Sequence, residues 1–321
     1  MSSRLGSYAE WQLAQVSTPR SVLADVVRRA VGSELVRADR ILEGYSNEVY
    51  RVRCAAGQDL VVRILRFDDD ITLAASAGEA RAIELARAAG VPAPEILLLD
   101  TVEVGGREFP VMVQRAAVGR PLGEVIDRLS AQQLRDVLIE LGELIARLNE
   151  VPVDHESDGP TAMAAALAHR QAERGQVLAA GFSASEFDQL IELLSEYVRD
   201  VPAEPWVLCH GDLSCKHIFV TGEGRDGSIV RVSGIIDFGD WKAGAPVHDL
   251  AVLRVHEPQL DLAPLLAGYG APAGYTYRRL LDLHTLMILV GSLAFCVNEA
   301  DHDGIARSAH QLRMLVRDLA N

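Results

Sequence analysis

The chain has 321 residues, with 31 Lys and Arg against 45 Asp and Glu, a net charge of −14 that argues against a polyanionic nucleic-acid partner. Hydrophobic residues make up 49%, which excludes a mainly disordered chain. Aromatics are only 5% and the apolar residues are mostly Ala, Leu and Val, so helices with some buried strands are expected rather than an all-β fold.

The N-terminus mixes Arg4, Glu10 and Gln12 without an apolar core, so no secretory signal is read there and the expected location is cytoplasmic. After Thr18-Pro19, residues 21–31 carry helical apolar spacing. From Arg40 the period changes to two, and a strand, turn, strand, turn, strand pattern runs through Gly44-Tyr45-Ser46-Asn47 and Gly57 to Leu65. A helix is predicted over 78–89, stopped by Gly90 and Pro92, followed by strands 95–102 and 109–113 around a Gly105-Gly106 hairpin. Beyond the composition shift near 114–119, helices are predicted over 130–149, 161–180, 185–201 and from 260 to the end. Short β-like runs interrupt them at 207–209, 218–220 and 229–236. The longest apolar run, 286–297, spans 12 residues and contains Gly291 and Ser292, too short for a membrane span and suited to a buried helix. Cys54, Cys209, Cys215 and Cys296 lack CxxC spacing and are expected as free thiols. The like-charge run Asp68-Asp69-Asp70 reads as a solvated loop.

The chemistry-bearing residues lie at the ends of the later β-runs. Cys209-His210-Gly211-Asp212-Leu213-Ser214-Cys215-Lys216-His217 is followed, 20 residues after His217, by Asp237-Phe238-Gly239, and then by His248-Asp249-Leu250-Ala251. Phosphoryl transfer needs one carboxylate near the attacking hydroxyl and a second on the metal that neutralises the phosphates. Asp212 and Asp237 fit those two roles. Either alone reads equally as a turn residue or a helix cap; their joint order and spacing carry the signal. A different reading gathers His210, His217, Asp237, His248 and Asp249 into an HD-type metallohydrolase site, although such sites lie on helices rather than at strand ends.

The pattern H-G-D-x-x-x-x-H, then I-D-F, then D-L-A resembles the aminoglycoside phosphotransferase and choline kinase-like family, a branch of the protein-kinase-like fold, over residues 40–251. The resemblance implies a two-lobed α/β (α+β) protein-kinase-like fold. Its parts would be an N-terminal arm and β-rich nucleotide-binding lobe over 1–113, a hinge over 114–118, and a helical lobe over 119–321 with catalytic loop, metal site and acceptor pocket. It implies that Asp212 is catalytic with His210 bracing its loop, that Asp249 supports that loop, and that Asp237 and His217 stand at Mg²⁺. The family usually has Asn in place of His217, and an imidazole nitrogen is a poorer Mg²⁺ ligand than an amide oxygen. Gly44, Ser46, Asn47, Arg63, Glu79, Gln114 and Arg115 would form the nucleotide site for ATP or GTP, Arg63 pairing with Glu79 beside the phosphates. The alternative for that pair is an exposed Arg63 and a Glu79 placed only by a helix dipole. His217 and Arg63 are also similar to the macrolide phosphotransferase branch.

The implied activity is transfer of the γ-phosphoryl group to a hydroxyl of a natural-product antibiotic, macrolide or aminoglycoside, giving resistance by inactivation. The alternatives are a housekeeping kinase of an amino alcohol, sugar or hydroxy amino acid, and a nucleotide-binding pseudokinase without turnover. The expected partners are the nucleotide and a hydroxylated small molecule, without nucleic acid or membrane. Asp240, Glu257, Asp282, Glu299, Asp301 and Asp303 are acidic candidates for an acceptor wall; convergent carboxylates would indicate a polyamine-bearing sugar, an apolar wall a macrolide.

Overall fold

Alternating burial along Val49–Val52 and Leu60–Ile64 gives one face of a sheet to an apolar core. The computed structural model describes residues 17–42, 47–66, 73–153, 159–200, 206–222, 228–272 and 274–320. In chain order the first elements are α1 (Arg20–Val31), β1 (Leu35–Ile41), β2 (Glu48–Cys54), β3 (Asp59–Ile64), α2 (Leu73–Ala88), β4 (Ile96–Val104) and β5 (Arg107–Arg115). The five strands form an antiparallel sheet in the order β1-β2-β3-β5-β4. Leu23, Val26 and Val27 of α1 bury against it with Val52, Leu60, Val62 and Val113. Gly105 and Gly106 close β4 onto β5 at φ +63° and +80°, with Val104 opposite Arg107, a two-residue turn that only left-handed backbone can make.

The remaining elements are β6 (Arg120–Pro121), α3 (Leu122–Val125), α4 (Ala131–Asn149), α5 (Gly159–Ala172), α6 (Arg174–Ala179), α7 (Ala184–Asp200), β7 (Val207–Cys209), β8 (Ile218–Thr221), β9 (Arg231–Ile235), β10 (Lys242–Gly244), α8 (His248–His256), α9 (Ala263–Tyr269), α10 (Tyr275–Asn298) and α11 (His302–Ala320). The fold is thus α/β, a β-rich N-terminal part followed by a mainly helical one. Two compact units divide between Gly119 and Arg120, and the strip Ser233–Gly239 belongs with the β-rich unit. That strip is tied there by Ile235 N–H to the Pro92 carbonyl at 2.9 Å and by the Ser233 hydroxyl to the Val118 carbonyl at 2.6 Å.

The predicted helix 161–180 is two helices, α5 and α6, because the chain leaves helical geometry at Glu173 (φ −80°, ψ 10°). Helix α8 had no periodic signal: Asp249, Leu250, Ala251, Val252 and Leu253 are all buried, so no polar face alternates with an apolar one. Helix α10 is long and apolar enough to cross a membrane by composition, yet Leu283, Leu286, Leu289, Val290 and Leu293 pack with Leu190, Leu194 and Leu312 in the core of the helical unit. All four cysteines are buried and free.

Candidate functional site

The helical unit holds the loop His210–His217 between β7 and β8. Gly211 sits at φ +87°, and a Cβ there would lie 1.9 Å from the Asp240 carbonyl oxygen, so backbone conformation and space both require glycine. Asp249, on the first turn of α8 and fully buried, accepts from the backbone N–H of His210 and of Gly211, each at 2.9 Å. Burial pushes the Asp249 carboxyl up, with His210 and the two amides pulling against it. His210, also fully buried, uses Nδ1 to accept from the Asp212 N–H at 3.2 Å.

The Asp212 carboxylate emerges from this frame with its side chain 26% exposed, 3.6 Å from His217 Nδ1, 3.7 Å from Lys216 Nζ and 3.5 Å from His256 Nδ1. His217 lies 2.7 Å through Nδ1 from the Asp212 carbonyl, so that nitrogen carries a proton and donates it there. Sequence reasoning did not single out His256. It stands seven residues after Asp249 on α8, two turns along the same face, and that spacing was its only signal. Glu257 accepts from the Cys215 N–H at 2.9 Å and thereby holds the far end of the loop. Cys209 and Cys215 are raised by burial, so both are thiols rather than thiolates.

The β-rich unit gathers a second group of the predicted residues. Arg63, on the face of β3 opposite the core residues Leu60, Val62 and Ile64 and yet only 8% exposed, donates to Glu79 of α2 and lies 3.6 Å from Asp237. Burial works against the Arg63 charge, but Glu79 and Asp237 outweigh it and hold its pKa above the ordinary arginine value. Asp237 adopts φ +67°, a left-handed conformation uncommon for residues other than glycine, and its side chain remains 48% exposed. Mg²⁺ takes one or two protein carboxylates and completes its shell with phosphate and water oxygens. The half-exposed Asp237 carboxylate fits that demand; the His217 nitrogen is a soft donor for so hard an ion. Among the described residues no group of three or more His, Cys, Asp or Glu could hold a metal on protein ligands alone, and His248 turns to His284 while Asp249 turns to the loop, which removes the HD-type reading.

Of the other predicted nucleotide residues, Gly44 and Ser46 lie outside the described residues, as do Tyr45 and Asp68–Asp70. Asn47 has its Oδ1 buried without a hydrogen-bond partner. Gln114 is buried, its amide at 2.9 Å from the Met112 sulfur, and Arg115 reaches Glu95 at 2.8 Å. The backbone N–H groups of Arg115 and Ala116 are already engaged by the carbonyls of Glu95 and Asp59 at 2.9 and 3.0 Å.

A phosphotransferase enzyme family model matches residues 37–283, and the chain belongs to that family. No curated protein matches the sequence significantly. Among solved structures, the GDP complex of wild-type aminoglycoside 2'-phosphotransferase-IIIa matches with TM-score 0.65 at 20% identity over 93% of this chain and 99% of that one. Macrolide 2'-phosphotransferase type I gives 0.58 at 17% identity over 92% and 99%. A choline/ethanolamine kinase family protein from Mesorhizobium loti gives 0.57 at 21% identity over 87% of each chain. The fold is accordingly protein-kinase-like, and the chain is a phosphotransferase.

Proposed function

We propose that the enzyme transfers the γ-phosphoryl group of ATP or GTP to a hydroxyl of a small molecule. The observation that carries this reading is the rigid loop that presents one part-exposed carboxylate, Asp212, on a frame fixed by Asp249 and Glu257. Asp212 orients the acceptor hydroxyl and takes its proton as the oxygen attacks phosphorus. Arg63, held by Glu79, meets phosphate charge. Asp237 would hold Mg²⁺, which when bound neutralises charge on the phosphate oxygens. His210 and Asp249 position the loop, and Asn47 with its unmatched Oδ1 serves the nucleotide site.

The likeness to aminoglycoside and macrolide phosphotransferases suggests an antibiotic as acceptor, with resistance as the consequence. At 17–21% identity that likeness speaks for the fold alone. A kinase of a small hydroxylated metabolite is favoured by one observation, a cavity beside Gly211 whose polar groups are mostly donors. Mg²⁺-dependent consumption of ATP and GTP against a panel of antibiotics and hydroxylated metabolites tests the reading, with Asp212→Ala in parallel. Turnover by the variant within a fewfold of wild type would remove Asp212 from its role, and no acceptor-dependent turnover on any compound would remove the reading.

A further inference from the structure

Within the helical unit, a cavity of about 430 Å³ is bounded by the catalytic-loop residue Gly211, by Lys242 and His248, by Arg170 and Glu173, and by the apolar edge of α10 that carries Ile288 and Phe295. Its size falls within the roughly 300–1,000 Å³ usual for small-molecule sites. Lys242 is placed there by strand pairing, since β10 runs antiparallel to β7 with Lys242 opposite Cys209, the residue before the loop. Gly291, which interrupted the apolar run in the sequence, makes room for Arg170: a Cβ at 291 would lie 1.5 Å from its Nη1.

The charges in this cavity are not those of a polycation site. Its one carboxylate, Glu173, is matched by Arg170 at 3.2 Å and reaches His169 at 3.4 Å. Lys242 is exposed and has no carboxylate at ion-pair distance among the described residues; the buried Asp249 carboxylate feels its charge from further off, so the ammonium stays open to an anion in the cavity. None of the six acidic wall candidates from the sequence lines the cavity; Asp282 pairs with Arg254, Asp301 accepts from the Gly304 N–H at 3.1 Å, and Glu257 serves the loop.

A buried relay then fixes a further donor. The Tyr197 hydroxyl lies 2.5 Å from His284 Nδ1, and His284 Nε2 lies 2.9 Å from His248 Nδ1. Tyr197 is 1% exposed with no other acceptor for its proton, so its O–H donates to His284 Nδ1. His284 must then carry its proton on Nε2 and donate it to His248 Nδ1. The neutral His248 ring is left with its proton on Nε2, an atom that is buried and has no hydrogen-bond partner in the protein. Burial keeps both rings neutral, with His248 well below the ordinary histidine value and His284 at about 4.

We propose that this cavity receives the acceptor and that the Lys242 ammonium and the His248 Nε2–H select a hydroxylated compound bearing a carboxylate, with an apolar body against Phe295 and Ile288. The proposal rests on the phosphotransferase reading for the word acceptor; the binding preference stands on the cavity itself. Tyr197 and His284 are positioning residues that set the His248 tautomer.

The test is calorimetric binding to the nucleotide-free protein of a matched series: 3-hydroxy-3-phenylpropanoate, its primary amide, the corresponding amine 3-amino-1-phenylpropan-1-ol, and kanamycin. The acid should bind roughly tenfold or more tightly than the amide or amine. Lys242→Gln, an exposed position, should lose that advantage and leave the amide unchanged, and Lys242→Glu should invert the order in favour of the amine. His248→Gln should weaken acid and amide together. Tighter binding of the amine or kanamycin, an acid affinity indifferent to Lys242→Gln, or no binding of the acid at millimolar concentration would overturn the proposal. Because binding is read without nucleotide, absence of phosphoryl transfer to every acceptor would sink the functional reading while leaving this preference measurable.

Discussion

The two units solve the problem of buried polarity in opposite ways. In the β-rich unit charge is met by charge: Arg63 is held by Glu79 and Asp237, and Glu48, fully buried, receives Thr18 N–H at 2.9 Å, Thr18 Oγ1 at 2.7 Å, the Tyr50 hydroxyl at 2.5 Å and Arg66 at 2.8 Å. In the helical unit the polar groups at the loop are met by neutral partners, two backbone amides on Asp249 and a Tyr197–His284–His248 chain. An ion pair keeps a buried cation charged, whereas a neutral relay fixes the tautomer of each ring without burying a charge.

Substitutions separate these two designs. The largest loss of stability is expected from Arg63→Ala, which strands the buried Glu79 carboxylate and should cost about 3–5 kcal/mol in urea unfolding, while Arg63→Lys should recover more than half. Equal loss in both variants would mean that charge is not what holds this cluster. Asp249→Ala leaves two loop amides without their acceptor and should cost about 2–4 kcal/mol, with kcat falling as the loop loses its shape; an unchanged kcat would detach Asp249 from the catalytic loop.

The acid response should come first from the helical unit. Unfolded, His284 titrates near 6.5, and folded at about 4, so the unfolded chain binds more protons between those values. Stability is therefore complete above pH 6.5 and falls by about 3 kcal/mol as the pH drops to 4. Tyr197, His248 and Lys242 face this ring; Asp249, raised by burial, acts in the opposite sense. His284→Gln should flatten the slope of urea midpoint against pH in that window, and an unaltered slope would assign it to other groups. Glu48, whose donors and Arg66 hold its pKa down against burial, contributes stability that is lost only at lower pH, as the pH falls through its folded value. The smallest effect belongs to the hairpin: Gly105→Ala, with φ +63° and open space around it, should cost about 1 kcal/mol, whereas Gly211→Ala meets the Asp240 backbone and should abolish turnover. Comparable melting and activity in the two variants would remove the distinction between a turn glycine and a loop glycine.

Much of this was legible in the chain. The Gly105-Gly106 turn, the helix over 130–149 that becomes α4, and the alternation of β2 are local devices, written in neighbouring residues. Helix α8 was not, because five successive buried residues, Asp249 to Leu253, leave no polar face over that stretch to make periodicity visible. The contact of His256 with Asp212 was hidden for the same reason, since its face of α8 is defined only once the helix exists. Of the candidates for an acceptor wall, Asp282 goes to an ion pair, Asp301 to a cap and Glu257 to the loop, because sequence proximity to a motif says nothing about which surface a helix turns inward.

By itself the sequence determined the chemistry on offer: which carboxylates, histidines and arginines stand at strand ends, and an acidic chain that must still hold phosphate. Only the tertiary structure decided where that acidity goes. Among the described residues Asp282 pairs with Arg254, Asp301 caps Gly304 and Glu257 serves the loop, while the cavity beside Gly211 keeps a lysine without a carboxylate at ion-pair distance and a histidine donor. The reason is physical: charge composition is a sum over the chain, but recognition depends on the few groups that pairing and burial leave uncompensated at one place.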